Sequence, residues 1–126
     1  KYGIKHGFKA SGTRLLYILQ GEQDVVDSTD IIMKKAGKNA FIVVQASYAS
    51  SLTDQADVVL PMAIWSERSG SLTNTEGHVQ TADQAVEPLG EARADWKILV
   101  MLADKLGKNI GTSFKEISKR AVKQLT

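Results

Sequence analysis

"AFIVVQ", Ala40–Gln45, decides the fold. It is a continuous apolar run, rich in β-branched side chains and too short for a helix. Such a run reads as a strand buried on both faces, the kind that parallel sheets contain. Two similar runs lie on either side of it. "RLLYILQGE" carries the unbroken stretch Leu15–Leu19, which stops at Gln20-Gly21. "DVVLP", Asp57–Pro61, is closed by its proline. Between the first two runs, Val25–Lys35 has Val25, Ile32 and Ala36 at roughly helical spacing, with Gly37 placed as the residue that ends a helix. "SYASSLTDQA" holds one short helix. Strands alternating with helical stretches predict βαβ units.

The expected fold class is therefore α/β. It is a partial parallel sheet of about three strands with flanking helices, a Rossmann-like or flavodoxin-like half domain, followed by a long loop and two C-terminal helices. In order, residues 1–14 are a basic lead-in, 15–61 the βαβ core, 62–93 a long polar loop and 94–126 the helical end. So few strands, and a chain that starts on Lys1, suggest a single α/β segment of a larger chain. In "ADWKILVMLADKLG", Trp96, Leu99, Val100, Ala103 and Leu106 share a face, with Asp95 as N-cap and Gly107 as the stop. In the last helix Ser113 and Glu116 have capping-box spacing, and Phe114, Ile117, Ala121 and Leu125 form its apolar side.

The totals narrow the function. The 126 residues carry 16 cations and 14 anions, for a net charge of +2. The mixture gives no basic patch for nucleic acid. There is no cysteine, so no disulfide, thiolate zinc site or Cys-ligated iron–sulfur cluster sits in this sequence. His6 and His78 make no ligand pattern. No run approaches the ~18 apolar residues of a membrane span, so no direct membrane insertion is expected. The expected location is cytoplasmic, with a larger complex holding the protein at the inner face of a membrane as the further option.

In an open parallel sheet, ligands sit beyond the carboxyl ends of the strands. Three segments fall there: Gln20–Asp24, Gln45–Tyr48 and Pro61–Arg68. In the first, Glu22 or Asp24 suits a ribose hydroxyl, but "QGEQD" equally suits a plain turn before a helix capped by Asp27 or Ser28. In the second, Gln45 can read an amide-like edge or cap the next helix. In the third, "ERSGSLTNTEGHVQ", Glu67–Gln80, Arg68 suits phosphate with Glu67 as its alternative ion-pair partner. Asn74 and Thr75 suit a loop stapled to itself. No nucleophile–base pair has usable spacing, so no catalytic centre is expected within the segment.

The series "FIVVQ", "TDQADVVLP", "SERSG", "TNTEGHVQ" and "VEPLGEARADWKILVMLADKLG" resembles the molybdopterin oxidoreductase family from about Leu15 to Gly107. That family includes molybdenum and tungsten formate dehydrogenases, nitrate reductases and the large iron–sulfur subunit of NADH-quinone oxidoreductase, respiratory complex I. The resemblance implies an oxidoreductase acting as part of a larger chain or complex. Its partners are the rest of that chain and other subunits of a redox complex. In the molybdenum members the strand ends bind molybdopterin guanine dinucleotide, and the iron–sulfur clusters lie elsewhere in the longer chain. By motif position the cofactor-binding residues are Gln45 and Ala46, taken as the pair after the second strand, with Arg68 and Asp95. Glu67, Asn74 and Glu76 are structural loop residues. The sequence departs from the pattern at Ala46, commonly Asp, at "GEQD", commonly Gly-x-Asn-Pro, and at His78, usually Arg. These departures lean toward the complex I subunit, a scaffold for electron transfer without the molybdenum site. A formate dehydrogenase-like guanine dinucleotide-binding region is the alternative, and a stand-alone nucleotide-binding or interaction module the second alternative.

Overall fold

The structure, a computed structural model, describes residues 13–21, 29–37 and 39–125. The expectations for the lead-in up to Gly12, for Glu22 and Asp24, for the Asp27 or Ser28 cap and for the start of the first helix at Val25 lie outside the described residues. The chain forms two compact units, which divide between Val59 and Leu60.

The first unit is built on a three-stranded parallel sheet in the order β1-β2-β3. The strands are β1 (Leu15–Leu19), β2 (Phe41–Ala46) and β3 (Val58–Pro61), the last of which runs on into the second unit. β1 and β2 pair from Leu15↔Phe41 to Leu19↔Gln45. The period of two then sends Leu16, Ile18, Ile42, Val44 and Ala46 to one face. That face is the core: Ile42, Val44 and Ala46 pack with Ala36 and Leu52, and Ile32 and Met33 close it from the side. The helices that supply these residues are α1 (Thr29–Ala36) and α2 (Ser51–Asp54).

Each helix ends for a local reason. Gly37 takes φ +82 and its N–H donates to Met33 O at 3.2 Å, the left-handed stop expected of it. Ser50 caps α2 through a reciprocal pair: Thr53 N–H donates to Ser50 Oγ, and Ser50 N–H donates to Thr53 Oγ1. Asp57 fastens the third strand to the second, since its Oδ2 accepts the Ile42 N–H at 2.7 Å while its own N–H donates to Ile42 O at 2.9 Å.

Burial on both faces holds best for β2. Leu15 and Leu19 of β1 are 59% and 53% exposed. The reason is positional: β1 and β3 are the outer strands, and the described helical residues of the core cluster on the Ile42–Val44–Ala46 face.

In the second unit, the stretch that read as loop contains a 3-10 turn at Trp65–Glu67 and an antiparallel hairpin, β4 (Gly70–Thr73) with β5 (Val79–Ala82). Asn74–His78 make its turn. Asn74 N–H donates to His78 O, Gly77 N–H donates to Asn74 O, and Gly77 takes φ +87. This is the three-residue hairpin loop with a left-handed last position. The Asn74 side chain reinforces it, with Oδ1 accepting from Glu76 N–H at 3.0 Å and His78 N–H at 2.9 Å. Asn74→Ala therefore leaves two amides to water. We expect a loss of about 1 kcal/mol, together with faster hydrogen exchange at Glu76 and His78. Unchanged exchange at both amides contradicts the stapling role.

Two helices complete this unit, α3 (Asp95–Lys105) and α4 (Phe114–Leu125). The cap of α3 is Ala94, and Asp95 is its first residue rather than its N-cap. The buried residues of α3 are Ile98 and Ala103, while Leu99 and Leu106 are exposed, so its buried stripe is rotated from the face expected. Gly107, at φ +66, stops it as expected. Gly107 N–H donates to Asp104 O and Lys108 N–H to Ala103 O, the paired bonds of a Schellman end. At α4, Ser113 Oγ accepts the Glu116 N–H, and the Glu116 carboxylate reaches back to Thr112 N–H rather than to Ser113.

Candidate functional site

In the first unit a polar rim gathers at the carboxyl ends of β1 and β2. Gln20 N–H donates to Gln45 O at 2.9 Å, and Ser50 Oγ donates to Gln20 Oε1 at 3.4 Å. Thr29 and Ser51 share a hydroxyl hydrogen bond at 3.0 Å. Gln45 and Ala46 are the last two residues of β2, not the pair after it. Gln45 is fully buried, and its Oε1 accepts the Tyr17 hydroxyl. That acceptor is therefore engaged inside the protein. Burial pushes the Tyr17 pKa above its ordinary value of 10.0. Ala46 is also buried, with no polar side-chain atom to offer. The next residue, Ser47, carries a buried Oγ without a hydrogen-bond partner among the described residues. A buried hydroxyl left without a partner is costly, which sets Ser47 apart from the other polar groups of the rim. Sequence reading passed over Ser47 because a serine after a strand is common in turns.

The second unit brings Arg68 and Asp95 together. Arg68 Nη1 donates to Asp95 Oδ2 at 2.5 Å, and both side chains are partly exposed, at 23% and 34%. Trp96 N–H donates to Asp95 Oδ1 at 2.8 Å, which fixes the carboxylate against the start of α3. Glu67 is not the partner of Arg68 in this pair. Its two oxygens accept backbone N–H groups of Ile64 at 3.0 Å and Leu89 at 3.3 Å, so Glu67 ties the 3-10 turn to the segment before α3. Two clefts flank Arg68. One, of about 390 Å³, has Trp65, Leu72, Trp96 and Phe114 in its walls and Asp95 beside Arg68. The other, of about 420 Å³, is more polar and includes Ser69, Arg93 and Lys97. Among the described residues no group of three or more His, Asp or Glu is placed to hold a metal ion, and no helix is long and apolar enough to cross a membrane. Glu76 contributes its backbone N–H to the hairpin turn.

Comparison with known proteins places these features in a family. The sequence model described as molybdopterin oxidoreductase matches residues 2–105. The chain is 46% identical over 96 residues to the F420-dependent formate dehydrogenase subunit alpha of Methanocaldococcus jannaschii, covering 75% of this chain and 14% of that protein. It is 39% identical over 115 residues to the F420-dependent formate dehydrogenase 1 subunit alpha of Methanococcus maripaludis, covering 84% of this chain and 17% of that one. A putative formate dehydrogenase of Staphylococcus aureus is 41% identical over 93 residues, 73% of this chain and 10% of the relative. The chain thus spans less than a fifth of the length of each. These relatives favour the formate dehydrogenase alternative over the complex I reading.

Proposed function

The chain belongs to the molybdopterin oxidoreductase family, and we propose that it forms part of the dinucleotide-binding region of a formate dehydrogenase-like alpha subunit. The observation that carries this reading is the identity to formate dehydrogenase alpha subunits, 46% in one case. Under it, the departures at Ala46 and His78 are tolerated within a cofactor-binding protein rather than signs of a lost site.

In the second unit, the residues present fit a phosphate of such a cofactor. Arg68 supplies a guanidinium at the junction of two clefts, the right group for phosphate oxygens. In the first unit, taken by itself, Gln45 and Ala46 stand at the strand end that the family resemblance assigns to the cofactor, with Gln45 held by Tyr17 and Ala46 offering shape alone. Asp95 orients Arg68. A bound molybdenum or tungsten pterin supplies the two-electron chemistry. This chain's own part is to bind and orient the distant nucleotide end, and the iron–sulfur clusters and other subunits belong to the rest of a redox complex.

Elemental and pterin analysis of the intact protein from its native source is the test. About one molybdenum or tungsten per alpha chain is expected. Iron without either metal, and without pterin, reverses the reading and returns the segment to an electron-transfer scaffold of the complex I type.

A further inference from the structure

We propose that the basic face of α4 docks an acidic surface of a partner subunit, with Lys115 and Lys119 as its charged contacts. The inference rests on the reading of the chain as part of an alpha subunit in a larger complex, and it concerns a surface that the cofactor reading leaves unused.

α4 lies beyond residues 2–105, the stretch that the family model matches. Charge in the second unit is divided along the chain. Residues 60–103 carry three cations and six anions, whereas residues 104–126 carry six cations and two anions. Lys115 and Lys119 stand one turn apart on α4, and both are exposed. A groove of about 400 Å³ is lined by these two lysines with Phe114 and Ser118, and no carboxylate stands in its walls. Glu116, the one acidic residue of α4, is engaged elsewhere. Its Oε1 pairs with Arg120 Nη2 at 3.3 Å, and its Oε2 accepts the Thr112 N–H at 3.1 Å. Among the described residues no carboxylate pairs with Lys115 or Lys119.

A helix face that meets only water gains from Glu and Lys set four residues apart. Here lysine recurs at 115, 119 and 123, a spacing at which like charges repel. A carboxylate-bearing surface turns that repulsion into attraction, and such contacts steer association and choose the partner. A lipid surface is the poorer occupant. It needs the apolar side of an amphipathic helix free to enter it. The apolar side of α4 is turned to its own unit: the Phe114 ring stands 6.3 Å from the Trp96 ring, and Phe114 and Ile117 line the cleft beside Trp96.

The test is zero-length carbodiimide cross-linking of the intact enzyme from its native source, read by mass spectrometry. Lys115 or Lys119 is expected to be joined to an Asp or Glu of a second polypeptide of the complex. Charge reversal in the same host, Lys115→Glu/Lys119→Glu, should lower the partner retained on gel filtration at low ionic strength by about tenfold. Lys115→Arg/Lys119→Arg should keep the partner. Both variants change exposed side chains and should keep the thermal transition. Cross-links from these lysines only to the alpha chain itself overturn the proposal, as does a charge-reversed enzyme that holds its partner unchanged. Sedimentation with phosphatidylglycerol vesicles that charge reversal abolishes, with the subunits still together, also overturns it and gives the face to a membrane. Metal analysis separates the two levels. A partner lost on charge reversal from a protein with iron but neither molybdenum nor tungsten leaves the docking face standing and removes the cofactor reading. A molybdenum- or tungsten-loaded enzyme that keeps its partner after charge reversal removes the docking face alone.

Discussion

Val44→Asp is expected to abolish cooperative unfolding of the protein, leaving a flat denaturant profile by far-UV circular dichroism. Val44 has no exposed surface and sits on the central strand, against Ile42, Ala46, Ala36 and Leu52. A carboxylate there has no cation among these neighbours. Burying a polar or charged group without a partner costs several kcal/mol, on top of the lost apolar contact. A whole domain has only about 5–15 kcal/mol to lose. The control is Leu15→Asp on the adjacent strand. Leu15 is 59% exposed, so that change should shift stability by about 0.5 kcal/mol or less. Equal damage from the two variants contradicts the one-faced core; a Val44→Asp protein that melts like the unaltered one contradicts the register itself.

That contrast also marks what was legible in the sequence. The three strands were, because an unbroken apolar run of strand length has few other uses. Gly37 and Gly107 were, because a left-handed residue after a helix favours glycine. Burial of β1 on both faces was not: a run reports only that its residues are apolar, and coverage depends on which neighbours reach each face. The hairpin at β4 and β5 was hidden because its pairing residues, such as Ser71↔Thr81 and Leu72↔Gln80, are polar or mixed and exposed, without a clean alternation. Its turn was present in "NTEG", whose Asn and Gly stand where the loop needs an acceptor and a positive φ. At the site, Arg68 and Asp95 were singled out separately. Their pairing spans 27 positions and is a tertiary fact that spacing does not carry. Tyr17 and Ser47 were passed over for the opposite reason: each lies in an ordinary apolar or turn context, and only the burial of Gln45 Oε1 and Ser47 Oγ gives them meaning.

Arg68→Glu is expected to strip the pterin cofactor from the intact protein, with metal and pterin content falling by about tenfold or more. The variant puts a carboxylate beside Asp95 and removes the cation between the two clefts. The loss of fold should be slight. Both members of the native pair are partly exposed, at 23% and 34%, and ion pairs of that kind contribute about 1 kcal/mol or less. A normal melting curve with low cofactor content therefore assigns the effect to binding. Arg68→Lys should fall between, since lysine keeps the charge and loses the two-pronged geometry. The deciding variant is the exchange Arg68→Glu/Asp95→Arg. It restores an ion pair between the same positions but moves the cation to the start of α3. If the pair serves only to brace the 3-10 turn against that helix, the exchange restores cofactor content along with stability. If Arg68 meets phosphate, stability returns and the cofactor does not.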